Sequence, residues 1–108
     1  MNLLKIFDDV KMVRYLDLDT VIFDSNFIYI EVITNFSSVS NIGDKKINSL
    51  KMEIKLIKDY GSLLIIRMSE YTSNMCQGIP ISNFRYNTQS QLSEFTGGNF
   101  MYDYFFKI

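Results

Sequence analysis

The chain has no histidine and no tryptophan, one cysteine and one proline in 108 residues. Without imidazole, the Ser-His and Cys-His nucleophile pairs are excluded, along with most zinc and iron sites. With Cys76 alone there is no internal disulfide, which fits a reducing compartment. Cys76 lacks an imidazole to activate it and reads as a small packing residue. Apolar runs stop at four residues, so nothing is long enough to span a membrane. Asp8 and Asp9 interrupt the segment where a signal peptide needs its apolar stretch. The expected location is therefore cytoplasmic. A net charge of −1 gives no general drive toward nucleic acid. Gly97-Gly98 follows an expected helix, whereas a phosphate-binding glycine loop precedes one.

What is present is apolar content of 47% and sixteen aromatics (nine Phe, seven Tyr), an ordinary globular composition with a bias to strands. One domain over residues 1–108 is expected, burying roughly 65% of its unfolded surface. The most informative stretch is Ser49 to Tyr71. Leu50, Met52, Ile54 and Leu56 alternate with Lys51, Glu53 and Lys55, the period-two pattern of a half-buried strand. Lys58-Asp59-Tyr60-Gly61 supplies turn chemistry, with Gly61 free to take positive φ. Leu63 to Ile66 then runs without a polar break, as a strand buried on both faces does.

Around this hairpin the pattern predicts further strands. Val10 to Leu18 alternates with Arg14 as the exception, Val21-Ile22-Phe23 continues it, and Asp24-Ser25-Asn26 turns into a strand over Phe27–Thr34. Asn2 is positioned to cap a short helix carrying Leu3, Ile6, Phe7 and Val10 on one face. Asn35 to Asn48 reads as a long polar loop, and Tyr71 to Ser82 as irregular. Asn87 or Thr88 is expected to cap a second helix with Leu92 and Phe95 on its stripe, ended by Gly97-Gly98. Asn99 to Lys107 alternates Phe100, Tyr102, Tyr104 and Phe106 as a last strand. The expectation is an α+β fold: one antiparallel sheet of five or six strands with a short helix near each end.

Tyr15 to Ser25 resembles the first motif of haloacid dehalogenase-like phosphatases, where a strand delivers Asp-x-Asp-Gly-Thr. By that resemblance Asp17 would attack phosphorus and Asp19 act as general acid/base. The glycine between Asp19 and Thr20 is missing, and no βαβ alternation follows. Asp17, Asp19 and Asp24 could offer oxygens to a hard cation, but the EF-hand pattern is absent. Lys45, Lys46, Lys51, Lys55 and Lys58 have too few interleaved aromatics to resemble a nucleic-acid face. The expectation is no catalytic group, no metal and no cofactor.

Charge is unevenly placed. Residues 1–31 carry six acids against three bases, while residues 44–58 carry five lysines against Asp44 and Glu53. An acidic N-terminal third with many aromatics suits a protein-binding surface, with Tyr15 and Tyr29 as anchors and Asp17, Asp19, Asp24 and Glu31 as steering charges. In general character the chain resembles the small immunity proteins of bacterial contact-dependent toxin systems. Its richness in Asn, Lys and Ile also resembles AT-rich bacterial or phage genes. The resemblance implies a cytoplasmic, non-catalytic inhibitor that occludes one larger, basic protein. The alternative is a phage-type inhibitor of a host defence protein or another small binding module.

Overall fold

A computed structural model describes residues 2–42, 45–59 and 61–106. Six strands follow one another: β1 (Leu3–Asp8), β2 (Met12–Phe23), β3 (Phe27–Ile42), β4 (Lys45–Ile57), β5 (Ser62–Tyr71) and β6 (Ser82–Gln91). They form one sheet in the order β1-β2-β3-β4-β5-β6, every neighbouring pair antiparallel. Among the described residues one α-helix, α1 (Gly98–Phe106), follows. Among the described residues no helix is long and apolar enough to cross a membrane. The turns are made by local chemistry. Asp9 Oδ1 accepts the Lys11 and Met12 N–H groups between β1 and β2, and Asp24 Oδ1 accepts the Asn26 N–H between β2 and β3. Gly61 takes φ +57° in the turn between β4 and β5.

Between bulges, alternation sends one parity of each strand to one face. Ile28, Ile30 and Val32 of β3 stand opposite Leu56, Ile54 and Met52 of β4. Leu16 of β2 and Leu63 and Ile65 of β5 extend this layer. Leu92, Phe95 and Met101 close over it. Arg14, the polar exception on its parity, also points to this face. Its guanidinium lies 4.4 Å from the Phe95 ring centre, with Nε donating to Thr34 Oγ1 at 2.9 Å and Nη1 to the Thr96 carbonyl at 3.1 Å. Burial draws its pKa down to about 10. The exception thus ties β2 to the segment leading into α1.

The expected hairpin is present: residues 50–57 pair antiparallel with residues 62–70, and Leu63 and Ile65 share the buried face with Met52 and Ile54. Leu64 and Ile66 are only half-buried, so β5 is less deeply enclosed than its apolar run implied.

Four expected elements are corrected. The N-terminal segment is strand β1, not a helix. A bulge at Ile6 breaks its alternation, so Leu3, Ile6 and Phe7 fall at helical spacing while lying on a strand. The expected helix after Thr88 is the end of β6 followed by turns, and the expected strand from Asn99 is α1; Lys107 lies outside the described residues. Apolar residues crowd this segment so densely that alternation coexists with a helical set: buried Gly98 and Met101 and partly buried Tyr102, Phe105 and Phe106. Gly98 is required by close approach, since a Cβ there would sit 2.5 Å from the Leu92 carbonyl oxygen. The polar stretch Asn35–Asn48 is no loop but the continuation of β3 and β4 as a long hairpin, with Gly43 and Asp44 outside the described residues. Of its described side chains Ser37, Ser38 and Lys46 are exposed and Ile47 is buried. The expected irregular segment after Tyr71 is present and contains a single 3-10 turn at Asn74–Cys76.

Candidate functional site

The face away from α1 carries the opposite parity. Cross-strand register arranges it in rows. One row runs Asp17, Glu31, Glu53, Arg67, Arg85 from β2 to β6. The row on one side runs Tyr15, Ile33, Lys51, Ser69, Asn83, and the row on the other runs Ile22, Tyr29, Lys55, Leu64, Gln89. Of the residues expected to form a site, Tyr15, Asp17, Tyr29 and Glu31 are therefore together on one surface.

Asp19 and Asp24 are not with them. Residues 18–21 of β2 stand against Ile30 of β3 alone, and this wide bulge ends the alternation after Asp17. Thr20 bridges the gap: its Oγ1 accepts the Glu31 N–H at 3.0 Å and donates to the Asp17 carbonyl at 2.7 Å. Asp19 instead holds the N-terminal segment, its Oδ2 accepting the Asn2 N–H at 3.0 Å. Asp24 belongs to its turn.

The face is built as linked hydrogen bonds and ion pairs. Tyr29 donates its hydroxyl to Glu53 Oε1 at 2.6 Å. The other Glu53 oxygen lies 3.3 Å from Arg67 Nε, and Arg67 Nη1 donates to Asn83 Oδ1 at 3.0 Å. Lys51 Nζ lies 3.7 Å from Glu31 Oε1, and Lys55 Nζ lies 4.6 Å from the Phe27 ring centre. Glu31 and Glu53 thus each have a base beside them, and the row changes sign between Glu53 and Arg67. Asp17, Glu31 and Glu53 stand directly opposite one another, an arrangement that costs stability in a sheet. Partial burial pushes the Glu31 carboxyl upward, and Glu53 and Asp17 add to the shift against the pull of Lys51.

One end of this face is walled. The 3-10 turn holds Met75 and Cys76 at φ 56°, a left-handed conformation uncommon for such side chains. It is pinned to the sheet: Asn35 Oδ1 accepts the Met75 N–H at 2.8 Å, Ser49 Oγ accepts the Cys76 N–H at 2.9 Å, and Ser49 donates to the Ser73 carbonyl at 2.6 Å. Burial pushes the Cys76 thiol upward, away from thiolate reactivity. Among the described residues no group of three or more His, Cys, Asp or Glu side chains is placed to hold a metal ion.

Burial first, and then the Glu53 carboxylate, raises the Tyr29 phenol well above its ordinary value of 10.0. The neutral phenol is therefore the form the fold favours. Its contribution is fully present below the unfolded-state value and is lost as pH rises through the folded-state value. Tyr29→Phe is expected to flatten the decline in urea midpoint above about pH 10 and leave its pH dependence near neutrality unchanged. An unaltered alkaline limb would place the phenol outside this network.

Lys51, Glu53, Arg67 and Asn83 were not singled out from sequence. Lys51 and Glu53 were visible as the wet parity of β4, but only the register sets them beside Glu31 and Tyr29. No protein-family model, curated protein or solved structure matches the chain.

Proposed function

We propose that the protein is a non-catalytic, protein-binding inhibitor, an immunity-type protein that neutralises a cognate bacterial toxin by occlusion, and that the face away from α1 is its contact surface. The observation that carries this reading is the linked group Tyr29–Glu53–Arg67 beside Glu31–Lys51. It holds aromatic and charged side chains in fixed positions on an open surface walled at one end. Interfaces gain from such groups, because aromatic anchors dominate affinity while surrounding charges set orientation and association rate. The three adjacent carboxylates favour a basic group on the toxin, and their cost to the free fold is relieved when that group arrives. Occlusion needs no reacting group in the inhibitor, which suits a chain without histidine.

The test is pull-down from the native host, identification of the partner by mass spectrometry, and co-expression of the partner with and without this protein. The expected result is a one-to-one complex and relief of the partner's toxicity. Recovery of nucleic acid alone, or a partner whose toxicity is unaffected, would sink the reading. With the partner in hand, Asp17→Lys is expected to slow association about tenfold and flatten its salt dependence, with a smaller effect on dissociation.

A further inference from the structure

The sheet has two edges, and the sequence treats them differently. β1 is six residues long, is bulged at Ile6, and carries Lys5 and Asp8 as an ion pair at 3.1 Å. Short length, a bulge and charged side chains are the devices that keep an edge strand from pairing with another chain. β6 pairs with β5 alone, which leaves the other side of its backbone without a strand. It is ten residues long, has no proline or lysine, and carries one charge, Arg85. Its register against β5 shifts once, with regular pairing over residues 82–85 and 88–91 on either side. Seven of its ten residues are Ser, Thr, Asn or Gln. Each such side chain both donates and accepts hydrogen bonds, so each can pair with its own kind. Asn83, Asn87, Thr88, Gln89 and Gln91 are exposed. The two ends of the strand are also unlike. Just before it stand Ile79, 90% exposed, and Ile81, 45% exposed. Its far end opens on a cavity of about 480 Å³ lined in part by Gly61, Ser62, Gln89, Gln91 and Leu92.

We infer that β6 is a self-pairing edge: two copies join β6 to β6 antiparallel across a twofold axis, and the sheet continues from one copy into the other. The backbone selects the shape of the occupant, since an open ladder is completed by an extended strand. The side chains select a second copy. A strand of charged or wholly apolar residues finds no counterpart along β6, whereas β6 itself supplies a neutral donor and acceptor at most positions. Arg85 is the one charge that opposes the contact. Antiparallel pairing also sets the start of each strand beside the end of the other. The exposed isoleucines of each copy then lie by the open cavity of the other copy, twice over, as an isologous contact requires. The pairing uses an edge and leaves both faces of the sheet free. It is therefore independent of the role proposed for the face away from α1, which each copy keeps for a partner of its own.

The experiment is sedimentation equilibrium of the full chain over a rising concentration series. A reversible passage from the chain mass of 12.7 kDa to twice that mass is expected, with a Kd below about 1 mM. Nuclear Overhauser contacts between isotope-labelled and unlabelled copies should join β6 to β6. Asn87→Lys with Gln89→Lys adds like charges to both edges and is expected to weaken self-association at least tenfold, with the thermal melt at low concentration unchanged. Ile79→Ser lies outside the strand, on a side chain too exposed to hold the fold, and is expected to weaken self-association several-fold. A mass that stays at 12.7 kDa throughout the series would overturn the inference, as would association that the paired lysines leave intact. Contacts between copies centred on β1, on α1 or on the face carrying Glu53 would overturn it too. So would masses that grow past the dimer, because they mean pairing that does not close.

Discussion

Ile54→Ala is expected to cost about 2–5 kcal/mol, read as a lower urea midpoint at unchanged slope. Ile54 is fully buried on β4, directly opposite Ile30, itself fully buried, and Ile65, nearly so. Truncation removes three methyl or methylene groups at a place where neither sheet neighbour can collapse without breaking register. The core is one layer of side chains between a sheet and a short C-terminal cover, so the void has few flexible neighbours to fill it. Ile66→Ala is the contrast. Ile66 is the extra residue of the β5 bulge, between Ile65 and Arg67, and is half-buried. Its truncation is expected to cost about 1 kcal/mol or less, although the sequence places it in the same apolar run. Equal losses at the two positions would mean that β5 is not bulged where the register places it.

That contrast shows what sequence can and cannot deliver in a sheet protein. Parity is local, and it was legible: Met52, Ile54 and Leu56 inward, Lys51, Glu53 and Lys55 outward. Arg14 was visible as the misplaced residue of its strand, and the structure accounts for it through Phe95, Thr34 and Thr96. Bulges are not local signals. The one at Ile6 turned a strand into a helix-like pattern, and the one after Asp17 removed Asp19 from the face its parity assigned to it. The C-terminus failed for another reason. Phe100 to Phe106 satisfies two periods at once, and the choice between them is made by the sheet, whose open apolar face α1 covers. For the candidate site, Tyr15, Asp17, Tyr29 and Glu31 share a surface because β2 and β3 keep parity up to the bulge. Their links to Glu53 and Arg67 depend on registers across β4 and β5, which no alternation pattern encodes.

Those links decide the second large effect. Tyr29→Ala is expected to weaken binding of the inhibited partner by about 2 kcal/mol, roughly thirtyfold, almost entirely through faster dissociation. The ring stands between Ile22 and Lys55 in its row, and its hydroxyl is fixed by Glu53, which is in turn paired with Arg67. An aromatic side chain already held in place loses little freedom on binding, which is what makes an anchor strong. Tyr29→Phe keeps the ring and removes the Glu53 hydrogen bond, so it should lose only a few-fold, and Glu53→Gln should resemble it. Asp17→Lys acts by another route: it slows arrival without hastening departure, and its effect fades at high salt. Surface plasmon resonance with the partner recovered from the host separates the two routes, and a thermal melt of each variant confirms that the fold persists. If Tyr29→Ala leaves the dissociation rate unchanged, the face carrying Glu53 is not the inhibitory surface.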